Sequence, residues 1–122
     1  MDPGSVPAEE FEALVVEALD SLPEFVVPMM REIAVLIEDE QPADERQPGL
    51  LLLGVFRGVP WTARGGRVPG TLPSTITLYR IPILAVCRRP EEVPPKVFKV
   101  LGHEDGHAVG LGESALRDLG WY

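Results

Sequence analysis

Apolar residues recurring at three- and four-residue intervals open the chain with a helix over Pro7–Leu22. Phe11, Leu14, Val15, Ala18, Leu19 and Leu22 share one stripe of that helix. Pro7 suits a first turn, where a missing N–H costs nothing, and Glu9 and Glu10 complement the positive end of the helix dipole. Ser21-Leu22-Pro23-Glu24 reads as a capping box opening a second, short helix, which Pro28 keeps brief or kinked. The pattern then changes. Ile33-Ala34-Val35-Leu36-Ile37, closed by Glu38-Asp39-Glu40, has the continuous apolar character of a buried strand.

From Gln41 to Gly49 the chain is polar with two prolines, hence a surface loop. Leu50–Phe56 is apolar but short and interrupted by Gly54, so strand is preferred over helix. Arg57–Pro73 has no periodicity and carries Arg57, Arg64, Arg67, Trp61 and four glycines, as a long loop does. Ser74–Tyr79 is a strand by alternation, with Thr75, Thr77 and Tyr79 on one face and Ile76 and Leu78 on the other. Ile81–Arg89 reads as a short helix carrying Cys87. The prolines between Pro90 and Pro95 break the chain, and Pro95 opens a helix running to about Val109. A last short helix spans Glu113–Leu119 before Gly120-Trp121-Tyr122.

Composition narrows the class. At 122 residues the expectation is one domain over 1–122, with no internal repeat and no linker. A hydrophobic share of 45% with 25% charged residues is that of a soluble globular protein, and 13 prolines with 12 glycines imply many turns. The net charge of -8 argues against nucleic acid as a partner and mildly favours cationic ligands. No run approaches the ~18 apolar residues of a membrane span. Met1-Asp2-Pro3-Gly4-Ser5 lacks the features of a secretory signal, and the lone Cys87 forms no internal disulfide. These point to a cytoplasmic protein.

The chemistry gathers in Leu101–Glu113, which holds both histidines of the chain. His103 and His107 are four apart, so on a helix they stand one above the other and can direct two imidazoles at one ion. Glu104 is turned by ~100° from His103 and can reach a water held there. This is the H-E-x-x-H arrangement, in which two histidines bind zinc and the glutamate is general base. Gly110 can end the helix in a left-handed conformation, and Glu113 follows as a third-ligand candidate, the alternative being an acid at a helix start. On the same helix Val97, Phe98, Leu101, Ala108 and Val109 form the apolar face. Asp105 falls inside that face, so a pairing with Arg64, Arg67 or Arg80 is expected to satisfy it.

The full pattern H-E-x-x-H-x-x-G-x-x-E resembles a metzincin-type zinc motif with an acidic third-ligand position. Other blocks extend the likeness: F-E-A-L-V-V-E-A-L-D-S-L-P, I-A-V-L-I-E-D-E, G-V-P-W-T-A-R-G-G, S-T-I-T-L-Y-R and G-H-E-D-G-H-A-V-G-L-G-E. Together they resemble the small bacterial zincin-like metallopeptidases, or minimal zincins. The resemblance implies an α+β fold in which a small mixed sheet packs on helices, one of them carrying the motif. It also implies Zn2+ held by His103, His107 and Glu113, with Glu104 as the catalytic base of a zinc-dependent peptidase. The expected partner is then a peptide or protein substrate, with neither nucleic acid nor membrane involved. Three positions depart from the family pattern: Glu113 stands where aspartate is usual, Ala108 where histidine is common, and Asp105 where an aliphatic residue is common. Residues 114–122 hold no methionine, so the methionine-containing turn of larger metzincins is not expected there.

Other readings stay open beside this one. A metal- or peptide-binding module that does not cleave fits the altered positions 105 and 108. A structural zinc site ranks last, because four protein ligands are not available. Tyr79 and Tyr122 are packing residues or hydroxyl donors to an intermediate. Cys87 is a small core residue. Arg57, Arg64 and Arg67 with Trp61 form a substrate rim or a solvated loop. Ser74–Tyr79, if an edge strand, would pair with an extended peptide.

Overall fold

The computed structural model describes residues 1–58 and 74–121. Its α-helices and strands run α1 (Ala8–Asp20), α2 (Val27–Met30), β1 (Ile33–Glu38), β2 (Gly54–Arg57), β3 (Ser74–Tyr79), α3 (Arg80–Ala85), α4 (Val93–Val109) and α5 (Glu113–Leu119). The strands form one mixed sheet of order β1-β3-β2, with β1 parallel and β2 antiparallel to β3. Helix α4 packs against both β2 and β3 and against α1. This is the α+β arrangement of a small mixed sheet on helices that the resemblance implies.

The core lies between α1, α4 and the sheet. Phe11, Val15 and Ala18 from the stripe of α1 meet Val97, Leu101, Ala108 and Val109 from α4 and Ile76 and Leu78 from β3 in one buried cluster. Burying each of these side chains other than the two alanines contributes roughly 1.5–3 kcal/mol before chain entropy is counted.

Several local expectations are corrected. Ser21 does not cap a following helix: its hydroxyl donates to the Glu17 carbonyl, and the chain continues through a 3-10 turn at Glu24–Val26 into the four-residue α2. Strand β1 is not buried on both faces. It alternates half-buried with exposed residues, and Ala34 and Leu36 face solvent because the sheet is covered on one side there. Strand β3 is central rather than an edge, and all of it but Thr75 is buried, so its alternation does not separate a wet face from a dry one. Of the apolar run Leu50–Phe56 only Gly54–Phe56 joins the sheet, in a strand that continues to Arg57. Helix α3 ends at Ala85, leaving Cys87 buried beyond it.

Helix α4 starts at Val93, two residues earlier than expected. Pro94 and Pro95 both fall in the first turn, where backbone N–H groups have no partner within the helix anyway. Just before it, the Glu92 carboxylate accepts from the backbone N–H groups of Arg88 and Arg89. The far end stops as the sequence suggests. Gly110 is left-handed at φ 89°, and the Leu111 N–H reaches back to the Gly106 carbonyl at 2.8 Å.

Candidate metal centre

Two glycines on α4 set the position of the first histidine. A Cβ at Gly102 would stand 2.8 Å from the Trp121 ring, and one at Gly106 would collide with Leu116. Without side chains there, α5 and Trp121 lie directly against α4, and both Leu116 and Trp121 are buried. The Trp121 carbonyl thereby comes to 2.9 Å from His103 Nδ1. A carbonyl only accepts, so Nδ1 carries the proton, and the neutral ring keeps a lone pair on Nε2.

That lone pair faces the second imidazole. Nε2 of His107 lies 3.0 Å from Nε2 of His103, the rings meeting edge to face at 82°. Two imidazole nitrogens bound at ~2.0–2.1 Å to a tetrahedral zinc stand ~3.4 Å apart, close to this separation. The same distance suits one N–H···N hydrogen bond between neutral rings. The convergence of both Nε2 atoms, together with the fixed tautomer of His103, makes the pair a fit for two of a metal's ligands.

Glu104 lies beside them, half-buried. Burial raises its carboxyl above the usual value, while the two histidines and a backbone hydrogen bond from Phe56 act in the opposite direction. The bond comes from β2. Gly54 at the start of that strand lets it approach α4, since a Cβ there would meet Val100 at 3.0 Å and Glu104 Cγ at 3.3 Å. Leu52, Gly54, Val55, Phe56 and Gly58 form one wall of a cleft whose other wall is His103, Glu104 and His107. The cleft continues past Glu104 and Val100 into a cavity of about 270 Å³ between Leu51–Leu53 and two lysines, Lys96 and Lys99.

Glu113 is not drawn into this group. It is exposed on the first turn of α5, and among the described residues no three His, Cys, Asp or Glu side chains converge as a metal would need. Residues 59–73 contain none of these types. The arginine expected opposite Asp105 is also not found among the described residues. Arg80 instead donates to Asp39 Oδ1 at 2.8 Å and to the carbonyls of Pro3 and Val6. Arg57 pairs with Glu45. Arg64, Arg67 and Trp61 lie outside the described residues, as does Tyr122. Asp105 is buried with no hydrogen bond to either carboxylate oxygen among the described residues, and desolvation pushes its pKa up to about 7. Tyr79 and Cys87 are core residues, and burial raises the Cys87 thiol.

The sequence reading missed four contributors: the Trp121 carbonyl, the Phe56 N–H, and Lys96 and Lys99. A helical wheel carried back to residue 96 puts Lys96 within ~20° of His103. The two backbone groups have no sequence signal, because they depend on how distant elements meet.

The sequence pattern of the zincin-like metallopeptidase family matches residues 30–121. Among solved structures, a conserved hypothetical protein from T. thermophilus is similar, with a TM-score of 0.59 and 23% identity. The alignment covers 93% of this chain and 97% of that one, and the likeness is one of fold. No curated protein sequence matches.

Proposed function

We propose that this chain, which belongs to the zincin-like metallopeptidase family, hydrolyses peptide bonds with zinc held by His103 and His107 and Glu104 as general base. The observation carrying the proposal is the convergence of the two Nε2 atoms at 3.0 Å, with His103 held in the metal-ready tautomer by Trp121. Zinc, when bound, supplies a water acidified toward neutrality and a Lewis acid for the scissile carbonyl. Glu104 takes the proton of the attacking water and returns it to the leaving amine. Strand β2, at the sheet edge among the described residues, offers backbone groups to an extended peptide laid along the cleft.

Glu113 is the proposed third ligand. Its side chain is exposed on α5 and must turn toward the imidazoles to serve. A second reading, a zincin scaffold that binds metal or peptide without cleaving, is favoured by that same exposed position.

Metal analysis of the purified protein, with cleavage of a broad peptide library, separates these readings. The expected result is about one zinc per chain in the wild type and in Glu104→Gln, with cleavage falling at least ~100-fold in the variant. Glu113→Ala is expected to lose zinc. Zinc in both forms with no cleavage by either selects the binding module, and no metal even after zinc is supplied removes both readings.

A further inference from the structure

We propose that the end of the cleft beyond Glu104 is a subsite for an acidic side chain of the bound peptide, read by Lys96 and Lys99. This rests on the peptidase reading for the identity of the ligand, but the chemistry of the pocket stands apart from turnover. The chain has two lysines, and both line this one cavity. Neither makes an ion pair among the described residues, whereas Arg46, Arg57 and Arg80 are engaged by Glu40, Glu45 and Asp39. Among the described residues the only carboxylate lining the cavity is Glu104, so two cations face one anion there. In a chain of net charge -8 this is a local reversal of sign.

The walls strengthen the effect. Leu51, Leu52 and Val100 line the same cavity as half-buried Lys96 and exposed Lys99, and an ion pair is stronger where apolar surface displaces water. Helix α4 also sets the spacing. The Cα atoms of Lys99 and Lys96 precede that of His103 by ~6 Å and ~10 Å along the axis at 1.5 Å per residue. An extended peptide advances ~3.3 Å per residue. The acidic side chain therefore falls about two or three residues from the scissile bond, on the side toward the start of α4.

Binding tests this without catalysis. Two fluorescein-labelled short peptides would be compared, alike except that Asp and Glu in one are Asn and Gln in the other. Titration against the intact Glu104→Gln protein, followed by fluorescence anisotropy, should show the acidic peptide binding roughly threefold to tenfold tighter at low salt. The preference should shrink at about 0.5 M salt. Lys96→Gln with Lys99→Gln should remove it, and Lys96→Glu with Lys99→Glu should invert it toward a Lys-containing peptide. Circular dichroism of each variant confirms that the helix is retained. Equal affinities, no binding of either peptide, or a preference that survives in the lysine variants would overturn the subsite. A charge preference in a protein whose zinc-loaded wild type cuts nothing would instead end the peptidase reading and leave the subsite standing. Cleavage indifferent to acidic residues, with no binding preference, would end the subsite alone.

Discussion

Arg80 and Asp105 are both charged side chains sealed from water, at 8% and 0% exposure, yet their surroundings are opposite. Arg80 has three hydrogen bonds, to Asp39 and to the carbonyls of Pro3 and Val6, so its guanidinium ties the N-terminal segment to the end of β1 and the start of α3. Asp105 has none. Arg80 is absent from the walls of the cleft, while Asp105 sits on the motif helix one residue after Glu104 and between the two histidines. A buried charge is tolerated when its hydrogen bonds are supplied and costs several kcal/mol when they are not. The contrast therefore separates a charge that stabilises the fold from one that the fold carries at a cost beside its candidate site. The carboxyl responds by holding its proton to about pH 7.

The sharpest way to break the comparison is to remove each charge and measure stability. Arg80→Met strips the donors from two backbone carbonyls and from Asp39, and is expected to cost roughly 2–4 kcal/mol in chemical denaturation. A loss under 1 kcal/mol would mean the tie is decorative. Asp105→Ala should do the reverse. The interval between the ordinary value of 3.8 and about 7 corresponds to at most roughly 4 kcal/mol of destabilisation at neutral pH. Relaxation and the small cavity left by alanine reduce this, so a gain of roughly 1–3 kcal/mol is expected in metal-free protein at pH 8.

The sign follows from the two states of that carboxyl. The unfolded chain releases its proton near 3.8 and the folded chain only near 7, so the cost is absent below 3.8, grows between, and is complete above 7. The charge-dependent part of the advantage of Asp105→Ala should thus fall by pH 4.5 to about a quarter of its value at pH 8, while the cavity cost stays the same. An advantage independent of pH would show that packing, not charge, separates the two proteins.

The two residues also mark what the sequence can and cannot disclose. Periodicity on a single helix is local. Hence the shared face of His103 and His107, the burial of Asp105 on the apolar side and the stop at Gly110 were all readable from spacing and helix geometry. Whatever depends on two distant segments meeting was not. The central place of β3 comes from pairing with β1 on one side and β2 on the other, and no alternation pattern encodes that order. The partner of Arg80 lies 41 residues away, so the charge rule that predicted an arginine for Asp105 had no means of choosing between two carboxylates. Glu113 follows the same logic. Its spacing after the turn was legible, but the direction in which α5 presents it depends on Leu116 and Trp121 settling against Gly106 and Gly102.

The smallest expected effect tests the satisfied side of the comparison from its exposed end. Asp39 is open to water, and its hydrogen bond to Arg80 lowers its carboxyl pKa below the usual 3.8. A depressed carboxyl contributes stability that is present above the unfolded value and is lost as the pH falls through the lower folded one. Asp39→Asn keeps an oxygen able to accept from Arg80 but removes the charge, so it should lower the melting temperature slightly at pH 7, far less than Arg80→Met does. That difference should close below pH 3.8, where the wild-type carboxyl is itself being protonated. Should Asp39→Asn instead match the loss of Arg80→Met at pH 7, the ion pair would outweigh the Pro3 and Val6 carbonyls. Arg80 would then be held chiefly by charge, and the contrast with Asp105 would reduce to the presence or absence of one counter-ion.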